Sequence, residues 1–168
     1  MPDERPGPLL ACLSVAFIAL GACIAAIGPA LPEFARVADV DVSSIGVLYS
    51  ALFAGFLASQ ITSTLLLERI GTRVVILWAL AVLAAGTVGL SAAASLLVML
   101  TASAVLGVGY GFATIAMNLV ASRMLTHRPA FVVNVVNALY GVGTVVGPLV
   151  SSAFLKTGSP ARWAPAIG

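Results

Sequence analysis

Residues 74–122 read VVILWALAVLAAGTVGLSAAASLLVMLTASAVLGVGYGFATIAMNLVAS and contain no Asp, Glu, Lys, Arg or His. As one helix this stretch would be about 73 Å long at 1.5 Å per residue. That length is more than twice the thickness of the hydrocarbon core of a bilayer. We therefore predict two membrane-spanning helices here, divided at the small residues 91–95.

Three further stretches without a charged side chain lie at 6–32, 42–67 and 129–155. Each is longer than the roughly 20 residues that a membrane-spanning helix needs. The sequence therefore predicts an all-α, polytopic membrane protein. Its five spans are expected at about 9–31, 44–67, 74–91, 96–122 and 130–154.

The composition agrees with this fold class and excludes several others. Hydrophobic residues make up 61% of the 168 residues and charged residues 8%, against about a quarter charged in an ordinary soluble domain. So few charges cannot cover the surface of a soluble globule, and the scattered basic residues form no stripe for nucleic acid. We predict a chain embedded in the lipid bilayer, with no nucleic-acid partner.

No combination of residues in the sequence predicts catalysis, a metal site or a cofactor. His127 is the only histidine, so a metal site or a catalytic dyad lacks partners. Cys12 and Cys23 would lie about 16 Å apart on one helix, which is too far for a disulfide. We expect a protein that is not an enzyme.

The basic residues favour an orientation with the N-terminus inside. In that orientation the cytoplasmic set is Arg5, Arg69, Arg73, Arg123 and Arg128, and the outer set is Arg36, Lys156 and Arg162. We expect a multi-pass protein of the cytoplasmic membrane. Residues 156–168 are expected to form an outer loop and the start of a sixth span that is cut short, so the chain is expected to be a fragment.

The first candidate site is the short turn between the second and third spans. It contains Glu68, Arg69, Gly71 and Arg73. Gly71 permits a tight backbone turn, and Glu68 can pair with Arg69 or Arg73 or face a helix N-terminus. The alternative is a solvated turn that only sets the topology.

Small residues mark the expected helix contacts. Ala51, Gly55, Ser59 and Ser63 recur every fourth residue in the second span, and Gly107, Gly109 and Gly111 lie in the fourth. In the fifth span Gly143 and Gly147 are four residues apart and Pro148 follows. Such glycines allow close helix packing, and proline bends a helix. The alternative for the glycine–proline motif is packing without a role in transport.

Three amides lie inside the predicted spans: Asn118 in the fourth, and Asn134 and Asn137 in the fifth. An amide in hydrocarbon is costly unless it is paired. These amides therefore face another helix or a wet cavity. Together with Tyr110 and Tyr140 they are the candidates for a path taken by a polar solute, and the alternative is that they only hold helices together.

These motifs resemble the major facilitator superfamily over essentially the whole chain. The turn at Glu68-Arg69-Ile70-Gly71-Thr72-Arg73 is similar to the superfamily's signature loop, with Glu for Asp and Thr72 for a basic residue. The fifth span is similar to another signature through Gly143, Gly147, Pro148, Ser151 and Ser152. The signature arginine of the fourth span is absent, since Ser103 occupies its place.

The resemblance implies the N-terminal part of a secondary transporter that works by alternating access. The fold of the superfamily has twelve spans in two halves, with a small-molecule substrate bound between them. The resemblance also implies that the turn at Glu68 gates transport and that Gly143, Gly147 and Pro148 serve helix packing and bending. It further implies a missing second half as a partner and a proton as a coupling partner.

Two subgroups remain open within the resemblance. The motif of the fifth span is similar to that of drug–proton exporters, whereas Asn118 with Asn134 and Asn137 is similar to fucose–proton symporters. No predicted span carries a carboxylate for proton coupling, so the coupling residues lie elsewhere or the protein is a facilitator. The competing class is a small membrane protein without transport activity, either a helix-packing subunit or a truncated remnant.

Overall fold

The computed structural model describes residues 6–124 and 128–156, and all regular secondary structure within them is α-helical. The helices are α1 (Pro6–Ala25), α2 (Ile27–Ala38), α3 (Val42–Ile45), α4 (Val47–Ile70), α5 (Thr72–Ser91), α6 (Leu96–Met124) and α7 (Pro129–Lys156). Five helical segments of the described chain are long and apolar enough to cross a membrane. The predicted all-α, polytopic fold is therefore confirmed.

The first of these segments contains a break between α1 and α2. α1 ends at Ala25 and α2 begins at Ile27. Pro29 has no N–H to donate to the carbonyl of Ala25, and its ring crowds that carbonyl. The break at this point therefore follows from the proline.

Helix α2 continues past Pro32, beyond the predicted span at about 9–31. It runs to Ala38 and carries Glu33 and Arg36. Arg36 Nε donates to Glu33 Oε2 at 2.9 Å, and the helix ends at Asp39, which has a left-handed φ of 54°. The whole segment 7–38 would be about 48 Å long, which is longer than the hydrocarbon core of a bilayer is thick.

The turn between α4 and α5 consists of one residue, Gly71. Its φ is 80° and its ψ is 155°, a combination that is almost restricted to glycine. The Gly71 N–H donates to the Leu67 carbonyl at 3.1 Å, and its own carbonyl accepts from the Val75 N–H at 3.2 Å. The predicted tight turn is confirmed.

Helix α6 lies at the centre of the bundle, against α4 and α5, and glycines bring the backbones together. A Cβ added to Gly107 would overlap the carbonyl oxygen of Leu52 on α4. A Cβ added to Gly86 of α5 would lie 2.5 Å from the backbone nitrogen of Leu106. The predicted close approach at the small residues of α4 and α6 is therefore confirmed.

Helices α1 and α7 form the second close pair. A Cβ on Gly143 would overlap the carbonyl of Ile18, and one on Gly147 would overlap the carbonyl of Ala22. Gly21 of α1 packs in the same way against the backbone of Tyr140. The partner of the glycine motif in α7 is thus α1.

Two clusters of buried apolar side chains lie at opposite ends of α6. One gathers α2, α3 and the first part of α4 around Met99 and Leu106. The other gathers α1, α7 and the first part of α5 around Phe112 and Met117. Together the clusters hold the helices at both ends and leave the polar residues of α6 and α7 between the two helices.

Candidate functional site

The polar residues of α6 and α7 meet along one line of contact, which we call the α6–α7 seam (Tyr110, Thr114, Asn118, Asn137 and Tyr140). Tyr110 Oη donates to Tyr140 Oη at 3.0 Å. The two rings lie 6.2 Å apart between centroids and are tilted by 30°. Both rings are half-buried.

The amides form a second contact across the same seam. Asn137 Nδ2 donates to Asn118 Oδ1 at 3.0 Å and to the carbonyl of Val133 at 2.8 Å. Asn118 is half-buried, whereas Asn137 is exposed. Asn134, one turn before Asn137, is also exposed and has no hydrogen-bond partner among the described residues. The structure thus joins two of the three predicted amides.

Phe56 of α4 extends the aromatic part of the seam, and the sequence analysis missed it. Its ring stacks on Tyr110 with centroids 5.2 Å apart and planes inclined by 30°. The signal was present in its neighbour Gly55, which belongs to the predicted stripe of small residues and packs against Ala104 of α6. A residue beside such a stripe lies at the edge of the same interface.

Helix α7 presents different chemistry to α1 than to α6. Gly143 and Gly147 pack against α1, and Pro148 lies inside α7, where it cannot donate to the carbonyl of Thr144. One turn further on, the buried hydroxyl of Ser151 donates to the carbonyl of Ala26 at 3.1 Å. This bond joins the irregular part of α7 to the break between α1 and α2.

The charged turn between α4 and α5 is exposed. Glu68, Arg69, Gly71 and Arg73 are exposed. The sequence allows a pair between Glu68 and Arg69 or Arg73, but neither pair forms, and Glu68 has no ion pair within residues 6–124 and 128–156. The side chains of Glu68, Arg69 and Arg73 are exposed, and an ion pair between exposed side chains gains little.

Residues 6–124 and 128–156 contain no group of three or more His, Cys, Asp or Glu residues that could hold a metal ion. Cys23 is buried and lies 3.8 Å from the Thr87 hydroxyl, whereas Cys12 is exposed, and both are free thiols. His127 and residues 157–168 lie outside the described residues.

A sequence model of the family described as Major Facilitator Superfamily matches residues 13–168. The chain belongs to the major facilitator superfamily. It is a multi-pass membrane protein of a family whose members are transporters that move small solutes, not enzymes. The match is to the superfamily as a whole and supports neither the drug-exporter nor the fucose-symporter subgroup. No curated protein and no solved structure matched the chain.

Ser103, which the resemblance places where the superfamily signature has an arginine in the fourth span, is 1% exposed. It lies one turn before Gly107, whose backbone packs against that of α4. A small residue is suited to this position, because a long cation buried here would need a counter-charge.

Proposed function

We propose that the chain forms helices of one half of a secondary transporter, which moves a small solute across the membrane by alternating access. The observation that carries the proposal is the α6–α7 seam. Its amides and hydroxyls lie in stretches without charged residues, on helices long enough to span the membrane. Because an exposed amide in hydrocarbon is costly, Asn137 is best accommodated beside a wet cavity. Asn118, Asn134, Asn137, Tyr110 and Tyr140 are proposed to line it.

The packing supports a division into rigid and bending parts. The glycine contacts of α6 with α4 and α5 leave no room for movement without loss of packing. Pro148 and the break at Ala26 interrupt the backbone hydrogen bonds of two neighbouring helices, and proline is a common cause of helix bending. We propose that α1, α2 and α7 bend together here, with Ser151 joining them and Gly143 and Gly147 keeping α1 against α7.

A second helical half is the proposed partner of this chain. Helix α4 leaves one apolar face uncovered within the described structure, and it leads directly into the turn at Glu68. The residues of this face are Phe53, Leu57, Ile61 and Leu65, which are 54%, 58%, 80% and 61% exposed. We propose that this face meets the second half and that Glu68, Arg69 and Arg73 gate the pathway by pairing with it, with Gly71 shaping the turn.

The charges support an orientation with the N-terminus inside, in the cytoplasmic membrane. Arg69, Arg73 and Arg123 lie at the end of the bundle where α4 and α6 finish and α5 starts. Asp39 and Asp41 lie at the opposite end, after α2. Arginine flanking membrane helices favours the cytoplasmic side.

The effect of a proton gradient and the direction of transport distinguish a drug–proton exporter from a fucose–proton symporter. The seam carries no carboxylate, so a proton-coupled cycle needs an acidic residue elsewhere, whereas a facilitator needs none. An inward proton gradient accelerates uptake by a symporter, drives efflux by an exporter, and leaves a facilitator unchanged. The rate of transport with and without the gradient therefore assigns the subgroup.

The test of the function is transport by cells that express the gene, with membrane levels of each variant measured in parallel. Ala replacements at Asn118, Asn134 and Asn137 are expected to reduce transport by about tenfold or more, since each removes a polar contact to the solute. Val142→Ala, on another side of α7, is the matched control and is expected to transport normally. Unchanged transport in all three variants contradicts the proposed path. No transport of any solute supports the alternative of a helix-packing subunit.

A further inference from the structure

Helices α4 and α6 run parallel, and their contacts fix which of their residues lie at the same level. A Cβ on Gly107 would meet the carbonyl of Leu52 and the backbone nitrogen of Phe56. Four residues further along α6, a Cβ on Gly111 would meet the carbonyl of Phe56 and the hydroxyl of Ser59. One turn along α6 therefore corresponds to one turn along α4.

The next turn of α4 brings Gln60 to the level of Thr114 on α6. Phe56 stacks on Tyr110, and Gln60 and Thr114 lie four residues further along their helices. Residues four apart lie on the same face of a helix. Gln60 therefore lies beside the α6 part of the seam, although it belongs to a third helix.

A groove lies between α4 and α7, with α6 at its base. Phe56 of α4 and Tyr140 of α7 both contact Tyr110, so these two helices flank the same face of α6. Thr114 and Asn118 follow Tyr110 on that face at intervals of four residues. In the described part of the chain, α4 and α7 are not closely packed against each other. The half-buried side chains of Thr114 and Asn118 thus lie in the space between them.

The side-chain amide of Gln60 has no hydrogen-bond partner among the described residues. Gln60 is half-buried and lies on a helix that is apolar and long enough to cross a membrane. The serines on either side of it differ, since Ser59 and Ser63 each donate to a carbonyl of their own helix. An amide in hydrocarbon without a hydrogen bond is costly. The Gln60 amide is therefore best accommodated if the groove holds water or a polar solute.

From the register, the groove and the unpaired amide, we propose that Gln60 is a further solute-binding residue, which contacts the solute from the side opposite Asn137. The solute path is then bounded by α6 at its base, by Gln60 on α4 and by Asn137 on α7. An amide both donates and accepts hydrogen bonds, so it can replace part of the hydration of a polar solute. This inference rests on the proposed transport function and adds to it a third helix of the binding site.

The first test measures whether water reaches Gln60. Ile61 is the matched control, because it lies at almost the same depth, is rotated by about 100°, and belongs to the uncovered apolar face of α4. In the protein with every native cysteine replaced, Gln60→Cys or Ile61→Cys is treated in isolated membranes with sulfonatoethyl methanethiosulfonate, a charged thiol reagent. Gln60→Cys is expected to react at least about tenfold faster, because the thiolate forms only where water reaches the sulfur.

The second test measures transport of ethidium and of labelled fucose, one probe for each of the two subgroups, with membrane levels measured in parallel. Gln60→Ala is expected to raise the half-saturation concentration for the probe that the wild-type protein moves by about tenfold, since it removes a polar contact to the solute. Ile61→Ala is expected to leave that concentration unchanged.

The outcomes separate this inference from the transport function. Equal thiol reaction rates, or faster reaction of Ile61→Cys, overturn the inference and leave the transport function standing where Ala replacements at Asn118 and Asn137 reduce transport. Fast reaction of Gln60→Cys with unchanged transport by Gln60→Ala also overturns it, since the groove is then wet but Gln60 does not bind the solute. A protein that moves neither probe counts against the transport function itself, and this inference fails with it.

Discussion

Helix α6 contacts its neighbours in two different ways. Gly107 brings its backbone against that of α4, and Gly109 brings it against that of α5. Tyr110 and Asn118, by contrast, reach α7 through hydrogen bonds between side chains. Backbone contact is rigid, because no rotamer change can relieve an overlap with a carbonyl group. The polar side chains at the contact with α7 carry the hydrogen-bonding groups that we propose line a path for a solute.

Helix α7 has one side packed against another helix and one side that is open. Gly143 packs against the carbonyl of Ile18, whereas a Cβ on Gly141 would meet no atom within 4 Å. The two residues have the same chemistry and lie two positions apart in one helix. Their environments differ because one faces α1 and the other is open, on the same side as Asn137.

The largest expected effect comes from adding a side chain at the closest backbone contact. Gly107→Val places methyl groups where the carbonyl of Leu52 lies, so α4 and α6 must separate. We expect a loss of about 3 kcal/mol or more of stability, as in other overpacked cores. The measurement is thermal unfolding in mild detergent. Gly141→Val is the control and is expected to unfold near the wild-type temperature; an equal loss in both variants would contradict the account of α6.

A smaller change on α7 sharpens the comparison. Gly143→Ala adds one methyl group against the backbone of α1, and we expect it to destabilise the protein by about 2 kcal/mol. Gly141→Ala adds the same group in open space and is expected to stabilise the helix by up to about 1 kcal/mol, because alanine has the higher helix propensity. The same denaturation experiment compares the two, and effects of equal sign would remove the distinction between the two faces of α7.

The smallest expected effect concerns the amide pair of the seam. A double-mutant cycle with Asn118→Ala and Asn137→Ala isolates the energy of their mutual hydrogen bond. We expect a coupling of about 0.6 kcal/mol in the stability of the membrane-embedded protein, the usual size for such bonds between membrane helices. A coupling near zero would mean that the two side chains do not meet across the seam.

Most of the fold could be predicted from the absence of charge, because a long uncharged stretch has few alternatives to a membrane helix. The small residues of α4 and the motif in α7 were also identified as contact positions, although their partners were not, since spacing along one helix does not tell which helix lies opposite. The length of α2 could not be predicted. The membrane span was expected at about 9–31, whereas α2 continues to Ala38, with Phe34 and Ala35 buried against the bundle.

The candidate site was predicted less completely. Tyr110, Asn118, Asn137 and Tyr140 could be singled out because polar groups are costly in apolar spans, and the structure brings these four together. Phe56 carries no polar group, and an aromatic residue is ordinary in a membrane helix, so its only signal was its neighbour Gly55 in the stripe of small residues. The roles of the seam and of the charged turn at Glu68 stay predictions.

The most direct test of the central claim, that the seam side of α7 faces water while another side faces an apolar environment, uses two adjacent residues. Gly141 lies one turn from Asn137, and Val142 is rotated from Gly141 by about 100° at almost the same depth. In a variant with Cys12→Ser and Cys23→Ala, single cysteines are introduced as Gly141→Cys or Val142→Cys and treated in intact membranes with a charged thiol reagent. We predict that Gly141→Cys reacts at least about tenfold faster, because the reactive thiolate forms only where water reaches the sulfur. Equal rates, or faster reaction of Val142→Cys, would contradict it.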